Sequence, residues 1–334
     1  MTRSIQEIPI VFAFDEQYKL PASVAFSSLI ANKNPETKYK IFVLYDDNLS
    51  EKTREIFNNF YSINWIYVSK NIFEKCPYND RYPKIVYYRL LISELIPQYK
   101  KIIWSDVDVF FRGDLSEVYN TNIENYYWGG VIAERNNPNT LNCHKYYQEN
   151  KNKYIFWAGF MLVNSKKMQE EHMIDKFFKI IQKYNYLRHC DLDVLNIACN
   201  KIKPLPFDYC CLNEIFDNNN IKCTRNYSWL SLSYTDDQLI KSKTTAKIVH
   251  FADTKVWNFL RTDIPDYYWN FLKISPFFDQ SNHYSHVTIT GYISYILQCI
   301  GSRILPLKSL RHKVRKHKNE YYQKFKRELD SFLF

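Results

Sequence analysis

A chain of 334 residues with 46% hydrophobic and 17% aromatic content can bury a sizeable core, which excludes a disordered protein and leaves one large α/β domain with an appendage, or two smaller domains. The net charge of +10 is unevenly spread, because residues 301–334 hold ten Lys/Arg against three Asp/Glu and the preceding 300 carry only about +3. That pattern argues against a generally basic fold and for a C-terminal end that meets a local anionic surface, membrane lipid or nucleic acid. The eight cysteines form no CxxC pair and read as reduced. No apolar run approaches the roughly 20 residues of a spanning helix and nothing resembles a signal peptide, so the expected location is cytoplasmic.

In chain order, Ile8–Phe14, Tyr39–Tyr45, Ile63–Val68 and Lys101–Trp104 read as strands, separated by helices near 18–31, 50–60 and 85–95. This alternation is the βαβ rhythm of a mostly parallel sheet. Further strands are expected at Trp128–Ala133 and Phe156–Asn164, then helices at 165–185 and 190–200, with helical spacing again in 309–330. The six glycines, at 113, 129, 130, 159, 291 and 301, cannot assemble GxGxxG or GxxxxGK[ST]. The glycine-dependent dinucleotide and P-loop phosphate sites are therefore excluded, and any nucleotide needs its phosphates held by other means.

The sharpest local signal is Lys101-Ile-Ile-Trp-Ser-Asp-Val-Asp-Val-Phe-Phe111, an apolar strand running into Asp106 and Asp108. At the carboxyl end of a strand, two carboxylates one residue apart can share one hard cation. The alternative is an Asx-rich turn. Arg89, in Tyr87–Leu95, is either a surface partner of Glu94 or another acid, or a fixed guanidinium that orients the nucleotide or Asp106. His250, after Lys247-Ile-Val, can complete a metal's coordination or serve a structural role, and Lys255 lies five residues on. Asp191 reads as the N-cap of a helix whose apolar face holds Val194, Leu195 and Ala198.

Taken together, these segments resemble the retaining glycosyltransferases of family 8, a GT-A-fold group that includes bacterial lipooligosaccharide galactosyl- and glucosyltransferases and glycogenin. The likeness spans roughly residues 8–258 in unbroken order. Ile10–Tyr18 is similar to the family's first strand, which implies nucleotide contacts from Ala13, Asp15 and Gln17. Tyr88-Arg89-Leu90 matches the helix whose arginine reaches the active site. Asp106-Val107-Asp108 matches the DxD motif, and His250 the histidine of HxxGxxKPW, so the resemblance implies Mn2+ (with Mg2+ as the alternative) on Asp106, Asp108 and His250. Phe156–Asn164 is similar to the FNAG strand, which puts Ala158 and Gly159 against the donor, and Asp191–Asn196 to the DQDxLN helix start, which adds Asp191 and Leu192. Three positions depart from the pattern. Trp157 stands for the Asn that touches the donor sugar, Leu192 for the usual Gln, and the His250–Lys255 interval is one residue short and lacks the Gly.

The resemblance implies a GT-A catalytic domain over 1–260, with a mostly parallel central sheet, while the residues of 261–334 themselves point to a basic, aromatic, helical membrane-association region. Its implied reaction is transfer of galactose or glucose from a UDP-sugar to a lipid-linked or oligosaccharide acceptor of the cell envelope, a lipooligosaccharide or lipopolysaccharide. Asp191 and Arg89 are the candidate catalytic groups, Lys255 the diphosphate contact and Glu134 an acceptor contact. Residues 301–334 suit an anionic membrane surface on its cytoplasmic side, and no nucleic-acid partner is expected. Two competing readings remain: a haloacid-dehalogenase-type phosphatase, whose DxDx[TV] signature Asp106–Val109 also fits, and a non-catalytic basic nucleic-acid-binding protein.

Overall fold

A computed structural model describes residues 5–77, 82–136, 152–217, 220–224, 226–252, 255–258 and 264–278. Residues up to 259 together with 264–276 form one compact unit, and residues 260–263 with 277–334 form a second. Every element below belongs to the first. The basic and aromatic segment 301–334 and the helical pattern at 309–330 lie outside the described residues.

The centre is a seven-stranded sheet in the order β3-β2-β1-β4-β7-β6-β8. Its strands are β1 (Gln6–Ala13), β2 (Thr37–Tyr45), β3 (Ile63–Tyr67), β4 (Ile102–Ser105), β6 (Trp128–Arg135), β7 (Tyr154–Val163) and β8 (Ile202–Leu205), with β5 (Val109–Phe111) leaving for a second sheet. The pairs β1–β2, β2–β3, β1–β4 and β6–β8 are parallel, while β7 runs antiparallel to β4 and β6. A strand covered on both faces needs apolar side chains at consecutive positions rather than alternate ones, and Ile8 to Phe12 and Ile102 to Ser105 are buried without a break. The chain builds outward from β1 through β2 to β3, then returns to place β4 on the other side of β1. Between β1 and β4 the strand order therefore reverses, and the carboxyl ends of such neighbours open a crevice for ligands.

The helices follow their local chemistry. In α1 (Lys19–Ala31) eight residues are buried, and its apolar sequence suits a helix with no broad solvent face. The next, α2 (Glu51–Asn58), starts where the Ser50 hydroxyl accepts from the Thr53 amide. The stretch expected as one helix at 85–95 is mostly a 3-10 helix, Lys84–Leu91, which passes into the short α3 (Ile92–Leu95). After α4 (Ser116–Tyr119), the single helix expected at 165–185 is instead two, α5 (Ser165–Glu170) and α6 (Met173–Lys183). The break is His172, left-handed at φ 49°, after which Met173, Phe177 and Ile181 bury a face at four-residue spacing. α7 (Asp191–Ala198) follows.

The second sheet, β5-β10-β9, adds β9 (Cys211–Leu212) and β10 (Ile248–His250). Short helices α8 (Asn213–Asp217), α9 (Tyr227–Leu230), α10 (Asp236–Thr245) and α11 (Asp266–Lys273) complete the unit. Among the described residues no helix is long and apolar enough to cross a membrane, and the cysteines with described positions are all free.

Candidate active site

At the carboxyl end of β4 the backbone leaves the sheet, and the Asp106 amide donates to the Gly159 carbonyl of β7 at 2.8 Å. Two residues later Asp108 enters β5. There the antiparallel register sets His250 opposite Val109, and the Phe251 amide donates to the Asp108 carbonyl at 2.9 Å. The two sheets thus bring the DxD segment and His250 together from positions more than 140 apart in sequence. One ligand atom from each of Asp106, Asp108 and His250 lies within 4.8 Å of the other two. Oxygen, oxygen and imidazole nitrogen form a donor set that can hold a divalent metal ion, with the carboxylates favouring a hard one. The ring nitrogen Nδ1 of His250 sits 3.2 Å from the Cys210 thiol, which leaves Nε2 directed at Asp108 Oδ1, 3.2 Å away. A ligating histidine has its second ring nitrogen held by a hydrogen-bond partner, and Cys210 takes that position here.

Gly159 is required by close approach: a Cβ there would lie 2.7 Å from Cε1 of His250 and 3.3 Å from Oδ2 of Asp106. The neighbouring carboxylates are not equivalent. Burial raises the Asp106 carboxyl above its ordinary value, and Arg89 offsets only part of this. Burial acts on Asp108 in the same sense, but Lys255 and His250 outweigh it and hold that carboxyl well below the usual range. For His250, burial opposes the charge and the adjoining Cys210 and Asp108 overcome it, so the imidazole titrates well above its ordinary value. A metal ligand must be deprotonated, so metal binding here displaces a proton.

Arg89 is 8% exposed. The surface pairing with Glu94 therefore does not occur; Nη2 donates to Asp106 at 2.8 Å and Nε lies 3.0 Å from Asp191. The guanidinium also covers the Trp104 ring at 4.8 Å and donates to the Ala158 carbonyl. One cation thus joins the buried Asp191 and the half-buried Asp106 to the β7 backbone. Capping of α7 also differs from the sequence expectation. Cys190 occupies the N-cap with φ 50°, Asp191 is the first helical residue, and the His189 amide donates to Asp193 at 2.9 Å. With Asp193 serving the helix start, Asp191 is left to Arg89. Burial pushes the Asp191 carboxyl up to about 7 against the pull of Arg89. From the same helix Asn196 clamps β7, accepting from the Phe156 amide and donating to its carbonyl, each at 2.9 Å.

These groups line one cavity of about 720 Å³, a size usual for small-molecule sites. Ala13 and Asp15 lie at the end of β1, Val107 between the two acids, Ala158 and Gly159 on β7, Leu192 beside Asp191, Glu134 at the end of β6, and Lys255 after β10. Asp15 caps a 3-10 turn, accepting from the Gln17 amide at 3.0 Å. Gln17 itself is exposed and does not line the cavity. Lys255 donates to Asp108 and to the Phe251 carbonyl at 2.8 Å. Sequence reasoning did not single out Tyr18, Tyr82, Arg188, His189, Asn226 or Trp229, which also line the cavity; no motif or periodicity marks them.

A parallel-centred α/β sheet with a DxD segment at its switch point defines the GT-A class of glycosyltransferases. The solved structures agree with that fold. The galactosyltransferase LgtC, solved with donor and acceptor sugar analogues, superposes with a TM-score of 0.64 at 21% identity over 80% of this chain and 96% of its own. WbbM, a bifunctional glycosyltransferase, gives 0.65 at 17% identity over 85% of this chain and 52% of its own. A family profile described as Glycosyl transferase family 8 matches residues 9–261. The chain belongs to that family. A Haemophilus influenzae protein whose name assigns it provisionally as a glycosyltransferase is 27% identical over 212 residues, 59% of this chain, and this chain spans 61% of that relative's length. General stress protein A of Bacillus subtilis is 24% identical over 198 residues, 56% of this chain and 67% of its own.

Proposed function

We propose that the protein transfers a hexose, galactose or glucose, from a UDP-sugar to a hydroxyl of a cell-envelope glycan, with retention of anomeric configuration. The observation that carries this reading is the convergence of Asp106, Asp108 and His250 with Lys255, Arg89 and Asp191 in one cavity at the β1–β4 switch point. Family membership and the fold of LgtC support it. Asp106, Asp108 and His250 hold Mn2+, which when bound supplies charge neutralisation to the diphosphate. Ala13 and Asp15 at the end of β1 bound the uridine end. Lys255 adds a second positive charge beside Asp108 for the departing phosphate. Arg89 keeps Asp106 and Asp191 in fixed relation.

Leu192 offers no nucleophile, so the acceptor hydroxyl attacks from the face that UDP leaves, and the departing UDP oxygen takes its proton. Asp191 stabilises positive charge at the sugar from the cavity wall. The acceptor is a lipooligosaccharide or related lipid-linked glycan, which residues 301–334 would approach from the cytoplasmic face of the membrane through their basic and aromatic side chains. The test is a screen of UDP-sugars for turnover with manganese and with chelator. One hexose cleaved with manganese alone supports the reading, and phosphate release from p-nitrophenyl phosphate with no UDP-sugar turnover would replace it with a phosphatase.

A further inference from the structure

Arg89 reaches Asp106 and Asp191 from an unusual support. The segment Lys84–Leu91 runs as a 3-10 helix for eight residues, and runs longer than three or four are uncommon because their hydrogen-bond geometry is poor. Its three-residue turn builds the cavity wall: Pro83, Val86 and Arg89 recur at every third position and all line the cavity. The Arg89 Nε accordingly donates to the Val86 carbonyl at 3.1 Å. Were the segment α-helical, Arg89 would turn about 60° away from Val86, which changes where the guanidinium points.

The residue before Arg89 holds the segment at this rotation. Tyr88 is fully buried and does not line the cavity. Its ring stacks on Phe73 at 5.9 Å, and its hydroxyl donates to Asp46 at 2.7 Å across 42 positions of sequence. Asp46 follows β2 and is 4% exposed. Among the described residues its side chain bonds to Tyr88 and Asn48, and no cation pairs with it. A buried carboxylate without a counter-ion is costly to keep, and a merely structural link could use a neutral side chain. The Asn48 amide donates to Asp46 at 2.8 Å, and the Asn48 carbonyl accepts from the Glu16 amide at 3.0 Å. Glu16 follows Asp15, so this one carboxylate ties the end of β1 to the segment that carries Arg89.

We propose that Asp46 is a positioning residue for the reaction: through the Tyr88 hydroxyl it fixes the rotation of the 3-10 segment, and so the place of Arg89 against Asp106 and Asp191. Neither Asp46 nor Tyr88 lines the cavity, so their effect is on alignment and not on ligand contacts. The inference rests on the glycosyl-transfer reading for the step it serves. The link from Asp46 to Arg89 is a property of the fold and can be measured without turnover.

The experiment compares Tyr88→Phe with the paired variant Tyr88→Phe/Asp46→Asn in the full chain. Tyr88→Phe keeps the ring on Phe73 but strands the Asp46 carboxylate, so the melting temperature should fall. Turnover of the preferred UDP-sugar should fall about ten- to a hundredfold, the scale of a small misalignment, with UDP affinity in calorimetry unchanged within about twofold. The Arg89 Nε–H resonance, assigned by its disappearance in Arg89→Lys, should shift or broaden. The paired variant leaves no stranded charge and should regain the wild-type melting temperature, while turnover and the Arg89 resonance stay altered. Recovery of both together with stability, or wild-type values of both in Tyr88→Phe, would overturn the assignment and reduce the pair to packing. Should Tyr88→Phe not fold, the paired variant alone carries the test. A wild type that turns over no UDP-sugar would remove the glycosyl-transfer reading, and the Arg89 resonance would still decide the role of Asp46.

Discussion

At the β4 end of the cavity the side chains that matter are charged and paired: Arg89 lies between Asp106 and Asp191, and Asp108 between His250 and Lys255. At the β6 end Trp157 and Trp229 dominate, supported by ring contacts and single hydrogen bonds. The first end recognises charge and is brittle, because removing one member strands another in a buried place. The second presents ring faces and no paired charges. On the reading proposed here, the chemistry common to all UDP-sugars is handled by the brittle end.

The largest effect should come from the metal ligands. Asp108→Ala and His250→Ala should each abolish manganese binding in calorimetric titration and lower UDP-sugar turnover by about 10³-fold, the upper range for loss of a principal electrostatic stabiliser. Turnover within a few-fold of wild type would show that the cluster is not the phosphate-handling site. Next, Arg89→Met leaves Asp106 and Asp191 facing each other without the guanidinium. Breaking a buried pair of this kind costs about 3–5 kcal/mol, read as a lowered urea midpoint, and Arg89→Lys should recover only part because it cannot reach Asp106, Asp191 and the Ala158 carbonyl together. Cys210→Ala removes the partner of His250 Nδ1 and should weaken manganese affinity about tenfold, with Cys210→Ser closer to wild type. An unchanged affinity in both would make the thiol mere packing.

The smallest effect concerns pH. The Asp191 carboxyl is raised to about 7 in the folded protein, so the folded state retains a proton that the unfolded chain releases near its ordinary value of about 4. Stability linked to this group is therefore full below pH 4 and is lost as pH rises to about 7. In the metal-free protein, Asp191→Asn should melt progressively higher than wild type across that interval, and the gap should stop widening above pH 7. A gap that does not depend on pH would remove the buried carboxylate as its cause.

The sequence exposed the brittle end well and the aromatic end poorly. Strands β1, β2 and β4 stand out because parallel strands buried on both faces need unbroken apolar runs, and the DxD segment stands out by its company with Asp15, Arg89 and His250 rather than by itself. Short β8 and β9 and the small helices after residue 210 carry no period long enough to read, and the helical pattern at 85–95 does not show that most of it is a 3-10 helix; tertiary packing decides them. The same holds at single residues. Asp191 reads as an N-cap until Cys190 is seen to take that place and the His189 amide to donate to Asp193. Trp157 shows in the sequence only as a departure, while its partner Trp229, seventy-two positions away, has no local mark. Arg89 reads as a surface ion pair or a site residue until its burial over the Trp104 ring decides for the site.

Gly159 has one more consequence. Its missing side chain is the space the His250 ring occupies, while its carbonyl anchors the Asp106 amide. A single added methyl would therefore leave the strand and its hydrogen bonds in place while evicting the imidazole. A relative that keeps this sheet but carries any side chain at the equivalent position would be a candidate pseudoenzyme, able to retain the nucleotide groove after losing the means to hold an ion. Gly159→Ala would create such a protein in one step.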